Sequence, residues 1–314
     1  MTISNAEPAT TSAGNGPALT AGIGCYLIWG IVPLLFQAMG RLGISPWEIL
    51  ANRTFWAAPM ALVFVLAARQ GRQVIAAFRN PRVLGWLAVS AVLLAANWMV
   101  YIWAVNSGRV LETSLGYYIN PLLAMAAGAL IFRERIDRTG AVAIGLAAVG
   151  VTIQALALGH LPIVSLTVAF SFCGYSIVRK RVDADAQAGL LIECLILAVP
   201  GLAYVAWLQN SGAGHLGASL PATAWLVACG PITAAPLALF SWAVRRIPLS
   251  FMGFLQFIAP TIAFGIGVGQ GEAFTPLRAA SFLFIWGGAA VFAWGAWRRS
   301  RSVAAAIAET APAE

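Results

Sequence analysis

Charge is what this sequence has least of. Only 10% of its 314 residues are Asp, Glu, Lys or Arg, and 60% are hydrophobic. A soluble domain carries about 25% charged residues, so a chain this poor in charge could not cover a water-facing surface. Histidine is nearly absent. His160 and His215 are the only two, which excludes a histidine-built metal centre. There is no Walker A loop to cradle a nucleotide phosphate, and no Ser/His/Asp set at a common depth. Direct ATP drive and hydrolytic catalysis are therefore not expected. The four cysteines (Cys25, Cys173, Cys194 and Cys229) all fall inside apolar runs without metal-ligand spacing and read as small core side chains. No cofactor, no metal and no catalytic residue is expected.

Long apolar runs fill the rest. The hydrocarbon core of a bilayer is roughly 30 Å thick and needs about 20 apolar residues per crossing helix. Runs bounded by charge, Pro or Gly predict ten spans, at 19–39, 47–68, 83–105, 112–132, 139–157, 161–179, 188–208, 222–243, 251–270 and 277–297. A β-barrel would alternate over about ten residues, and these runs do not. The connections are short, the longest being 69–82 and 209–221. Residues 1–18 have no basic n-region and read as a disordered cytoplasmic tail. Residues 300–314 read as a second tail.

The formal charge of +8 does not indicate nucleic acid, because the basic residues sit in short clusters between spans. With the N-terminus in the cytoplasm, the inner loops hold Arg69, Arg72, Arg79 and Arg82; Arg133, Arg135 and Arg138; and Arg179, Lys180 and Arg181. They also hold Arg245 and Arg246, and the C-terminal side holds Arg298, Arg299 and Arg301. The outer loops hold Arg41, Arg109 and Arg278, a split of 15 against 3. Lys and Arg concentrate on the cytoplasmic side, so both termini are expected inside.

The two halves echo each other. YIWAV at 101–105 and FSWAV at 240–244 lie 139 residues apart, as do the prolines of YYINP (Pro121) and QFIAP (Pro260). Glu134 follows its proline by 13 residues and Glu272 by 12, and Pro59 matches Pro200. These landmarks predict a duplicated five-helix unit, 19–157 and 161–299. Five is odd, so the second copy would be inverted, with the binding site near the midplane between copies.

Polar residues inside spans are costly and usually face a cavity or a partner. Arg53 lies two turns into the second span. It reads either as an anchor for an anionic or carbonyl-bearing substrate or as half of an ion pair with Glu48 or Glu112. Glu193 lies at similar depth from the opposite face. It is either a proton-titrating group or a partner of the Arg179–Arg181 cluster, and it is too far from Arg53 to pair with it. Glu112 starts the fourth span, where a carboxylate suits the helix dipole. Asn97 and Tyr101, then Tyr117 and Asn120, then Gln256 before Pro260, would either line a cavity for a small amphipathic solute or bond helices together. Gly145, Gly150, Gly287, Gly288 and Gly295 suit close helix packing, as an outer wall or as the face of a homodimer.

The stretches YLIWGIVPLLF (26–36), ANWMVYIWAVNSGRVLETSLGYYINPLL (96–123), AFSFCGYSIVRK (169–180), GLLIE (189–193) and MGFLQFIAPT (252–261) resemble RarD-type proteins. These are often labelled chloramphenicol-sensitivity proteins, of the EamA branch of the drug/metabolite transporter superfamily. The resemblance runs from about residue 17 to 299. It implies a ten-helix, five-plus-five inverted-repeat permease of the bacterial cytoplasmic membrane, and supplies no substrate. The expected function is secondary-active transport of a small organic metabolite or drug by alternating access, with proton coupling as an option. A passive channel, a structural membrane subunit, or a membrane enzyme acting on lipids are the alternatives.

Overall fold

The computed structural model describes residues 16–106, 110–158, 163–269 and 275–310, and every regular element among them is a helix. In chain order these are α1 (Gly16–Arg41), α2 (Pro46–Ala67), α3 (Gly71–Arg79), α4 (Pro81–Asn106), α5 (Val110–Ile131) and α6 (Arg138–Leu158). Then come α7 (Ile163–Arg181), α8 (Ala186–Asn210), α9 (Leu220–Val244), α10 (Leu249–Leu255), α11 (Ile258–Gly269) and α12 (Pro276–Thr310). Seven of the described helices (α1, α2, α4, α6, α7, α8 and α9) are long and apolar enough to cross a membrane. Shorter apolar stretches lie at Leu115–Ile131, Leu249–Ile262 and Ala279–Gly295.

Local chemistry sets the helix ends. Ser45 caps α2 by accepting the Glu48 N–H at 3.2 Å, just before Pro46 in the first turn. Ser219 caps α9 in the same way, ahead of Pro221. The Asn80 side chain accepts from Arg82 and Val83 and starts α4. Asp137 accepts the Gly140 N–H at 2.8 Å and starts α6. Each cap satisfies backbone donors that a first turn leaves unpaired.

Two expectations are corrected. The connection 69–82 is not a plain loop, because 71–79 form the amphipathic helix α3. Val74 and Ala77 turn inward to Leu87, Val182 and Ile192, while Ile75 and Phe78 are exposed. The ninth span, expected unbroken over 251–270, is interrupted at Gln256–Phe257 between α10 and α11. Pro260 has no N–H for the Gln256 carbonyl, and its ring crowds that turn. Pro121, at the corresponding place in α5, leaves that helix continuous.

Packing is pairwise across the halves. α6 lies on α12, α2 on α8, and α5 on α10. α5 also packs on α7 as α11 does on α1, and α4 packs on α7 as α9 does on α1. Exchanging α1, α2, α4, α5 and α6 for α7, α8, α9, α10–α11 and α12 turns these pairs into one another. Glycine makes the closest approaches. A Cβ on Gly150 would lie 2.7 Å from the Ser281 carbonyl oxygen, and one on Gly288 would lie 2.6 Å from that of Ala143. The Ser281 hydroxyl donates to the Gly150 carbonyl at 2.8 Å across the same seam. These two glycines are used within the chain, holding α6 against α12.

Gly150→Val should therefore lower the Tm of the purified protein, since overpacking a tight seam costs about 1–3 kcal/mol. Gly145→Val on the same helix should leave it nearly unchanged, because nothing lies within 4 Å of a Cβ there.

Candidate functional site

Among the described residues, the arginine-poor half of the bundle holds one buried cation, Arg53 on α2, 9% exposed. Its Nε donates to the Thr233 Oγ1 of α9 at 3.1 Å. Its guanidinium carbon lies 4.4 Å from the ring centroid of Trp98 (α4) and 5.0 Å from that of Phe36 (α1), close enough for cation–π attraction. Tyr101 of α4 and Tyr117 of α5 form an edge-to-face pair, with ring centroids 5.7 Å apart, within electrostatic reach of the guanidinium. Tyr117 is 38% exposed. No described carboxylate lies within ion-pair distance of Arg53. Glu48 is engaged elsewhere: it accepts the His215 N–H at 2.6 Å and contacts His215 Nδ1 at 2.8 Å. The side chain of Glu112 lies outside the described residues, as do Glu272 and His160.

The remaining sequence-selected residues fall in other places. Asn97 points at α7, donating to the Val168 carbonyl at 2.8 Å and the Ser171 hydroxyl at 3.1 Å. It ties two helices together, while Tyr101 one turn later joins the Arg53 cluster. Asn120 and Gln256 are both buried, and Asn120 Oδ1 and Gln256 Nε2 have no hydrogen-bond partner. Gln256 faces the Tyr26 hydroxyl without closing a bond to it. Each neighbouring proline packs against the opposite half: Tyr118 donates to the Pro260 carbonyl at 3.4 Å, and a Cβ on Gly253 would lie 2.8 Å from the carbonyl oxygen of Pro121.

Glu193 sits in the arginine-rich half, paired with Arg179. Oε1 and Nη1 are 3.6 Å apart, with 1% and 0% exposure. The Ser90 hydroxyl donates to the same carboxylate oxygen. Arg179 also donates to the Ser241 hydroxyl at 3.3 Å and the Ala186 carbonyl at 2.8 Å. Glu193 Oε2 has no partner. Above this network, Trp29, Phe172, Tyr175 and Phe240 pack ring against ring, with centroids 5.4–5.8 Å apart. Residues from α1, α7 and α9 thus pack together in one core cluster.

A second closure at the same end escapes the sequence reading, which uses Glu134 only as a repeat landmark. Glu134, after α5, accepts from the Leu249 N–H at 2.7 Å, the Ser250 N–H at 2.9 Å and the Ser250 hydroxyl at 2.7 Å. Lys180 Nζ lies 3.3 Å from the carboxylate and donates to the Ile247 carbonyl at 2.9 Å. Burial pushes the Glu134 carboxyl up. The Ser250 and Leu249 donors and the Lys180 charge outweigh it, and they hold the group below the usual carboxylate range. The available signal is a serine two residues after Pro248, in the first turn of a new helix.

The EamA-like transporter family matches residues 16–156. Protein RarD of Streptomyces exfoliatus is 39% identical over 296 residues, covering 94% of this chain and 93% of the relative. An uncharacterized transporter of Vibrio cholerae is 38% identical over 272 residues, covering 86% of this chain and 89% of its own length. A crystal structure of a protein 18% identical superimposes with a TM-score of 0.66, over 90% of this chain and 98% of that one. At that identity the likeness concerns the fold alone.

Two stability measurements follow from the arginine-rich end. Native Glu134 holds its proton less tightly than an unfolded glutamate, so its clamp stabilises the fold above the ordinary carboxylate range and is lost as pH falls through the lowered value. Glu134→Gln should lower Tm at neutral pH, with the gap to the parent closing in acid. Glu193→Gln should destabilise by about 3–5 kcal/mol, because it strands Arg179 without a counter-charge. Combining Glu193→Leu with Arg179→Met should recover most of that loss, as read by thermal unfolding in detergent.

Proposed function

This chain belongs to the RarD-type branch of the EamA-like transporter family, and we propose on that premise that it is a secondary-active transporter of small organic solutes working by alternating access. The proposal places ten spans in the bacterial cytoplasmic membrane, with both termini in the cytoplasm. The spans form two inverted units, 19–157 and 161–299, with the solute site between them. The exchangeable packing pairs support the duplication. The 15-to-3 split of basic residues supports the orientation.

The observation that carries the transport reading is the contrast between the two ends of the bundle. At the arginine-rich end, the Glu134 clamp, the Ser90 hydroxyl bond to Glu193 and the Trp29–Phe172–Tyr175–Phe240 stack join one half of the chain to the other, and Arg179 pairs with Glu193 within the second half. In the opposite half, Arg53, Tyr101 and Tyr117 gather with a cation whose charge no described residue answers. A site confined to one side, with a closure assembled from both halves, is the arrangement that alternating access needs. Tyr101, Tyr117 and Arg53 are the proposed wall of the path. Asn120 and Gln256, with unpartnered polar atoms near Pro121 and Pro260, continue it. Asn97 positions α4 against α7. Where transport is proton-coupled, Glu193 is the proposed coupling group, since Oε2 is free to take a proton once Arg179 moves away.

Reconstituted in liposomes, the protein should give saturable uptake that an opposing gradient of the same solute accelerates. Non-saturable flux without counterflow would favour a channel. Transport by Glu193→Gln that keeps the parent's pH dependence would remove the proton role.

A further inference from the structure

The described carboxylates are all placed, and none serves Arg53. Glu48 holds His215, Glu134 holds Lys180 and the start of α10, and Glu193 holds Arg179. Asp137 starts α6, Asp185 lies 4.0 Å from Arg245, and Asp183 falls within the same arginine's field. Among the described residues, buried Arg53 has one hydrogen-bond acceptor, Thr233 Oγ1, and two ring faces. Rings and a hydroxyl soften the burial of a guanidinium but do not neutralise it.

We propose that the missing anion is the substrate's own carboxylate, and that the Arg53 cluster is a binding site for small organic monocarboxylates. This rests on the transporter reading and narrows it to a chemical class. Thr233 holds Nε and fixes the plane of the guanidinium, so the two terminal nitrogens present their donors as a fork, the geometry that takes a carboxylate through two parallel bonds. The phenols of Tyr101 and Tyr117 are further donors within electrostatic reach. Phe36 and Trp98 cover the flanks of the cation and provide apolar surface for the body of the solute. Charge balance selects the class. Among the described residues, Cys229, Tyr117 and Tyr101 lie within electrostatic reach of Arg53, and no described cation forms part of the cluster. One buried positive charge offsets one negative charge. A phosphate monoester, carrying about 1.5 to 2 negative charges at neutral pH, would remain under-compensated. A cationic amine would add like charge.

The test uses the full-length protein in detergent and four matched probes: phenylacetate, its neutral amide phenylacetamide, phenyl phosphate and phenethylamine. A set of aliphatic monocarboxylates with their amides is run beside them. Thermal shift and quenching of tryptophan fluorescence report binding. Acids should bind at least tenfold more tightly than their amides, and more tightly than the phosphate or the amine. Arg53→Gln should abolish the difference between acid and amide, and Arg53→Lys should retain part of it. Equal binding of acid and amide across the set, or no binding by any acid, would overturn the proposal without any variant. So would an unchanged preference for acids in Arg53→Gln. Without ligand, Arg53→Met should match or exceed the parent's Tm, because it removes an uncompensated charge; a fall would assign the arginine to the fold. Counterflow in liposomes separates the two readings. Acid binding without flux overturns the transporter reading alone, and counterflow of neutral or cationic solutes without acid binding overturns this one alone.

Discussion

A charge in hydrocarbon has to be answered, and the organisation of this bundle follows from where the answers come from. At the arginine-rich end they come from within the chain. Glu193 answers Arg179, and Glu134 answers Lys180 while also capping the start of α10. Glu134 and Lys180 join the loop after α5 to α7, across the halves, whereas Arg179 and Glu193 join α7 to α8 within the second half and are tied to the first by the Ser90 hydroxyl on Glu193. At the Glu134 clamp, neutralising the charge and holding the halves together are therefore the same act. Arg53 is the exception: among the described residues, the groups gathered round it are aromatic rings, hydroxyls and the Cys229 thiol.

Ion pairs of this kind are poor fasteners on purely thermodynamic grounds, because desolvation cancels much of the attraction. They suit a contact that must open. Release of Lys180 and Glu134 into water at the arginine-rich end would return most of what burial took from them. A seam of Gly150 on Ser281 and Gly288 on Ala143 cannot open so cheaply, since separation exposes carbonyls to lipid. The α6–α12 contact is thus the more costly of the two to separate.

The spans were legible because a bilayer demands long apolar runs, and such runs survive any uncertainty about packing. The helix α3 was not, since nine residues carrying Arg72 and Arg79 read as a charged connection, although Val74 and Ala77 recur at helical spacing. Side-chain partners depend on helix phase, which composition does not record. Arg179, Lys180 and Arg181 are consecutive, yet successive residues point about 100° apart, so they reach Glu193, Glu134 and the Ile131 carbonyl respectively. The same rotation separates Asn97, which polarity singles out, from Trp98, which lies over Arg53. Arg53 itself stands out in the sequence because one arginine in an apolar helix is conspicuous. That no described carboxylate answers it emerges only when the others are placed.

The break between α10 and α11 bears on which way the molecule rests. Two identical halves related by inversion would give facing-in and facing-out forms of equal energy, each the mirror of the other with the roles of the halves swapped. Pro260 interrupts its helix and Pro121 does not, so the two copies of the unit bend differently. Under the proposed alternating access, this difference in the backbone alone would separate the two forms in energy before any solute or ion arrives.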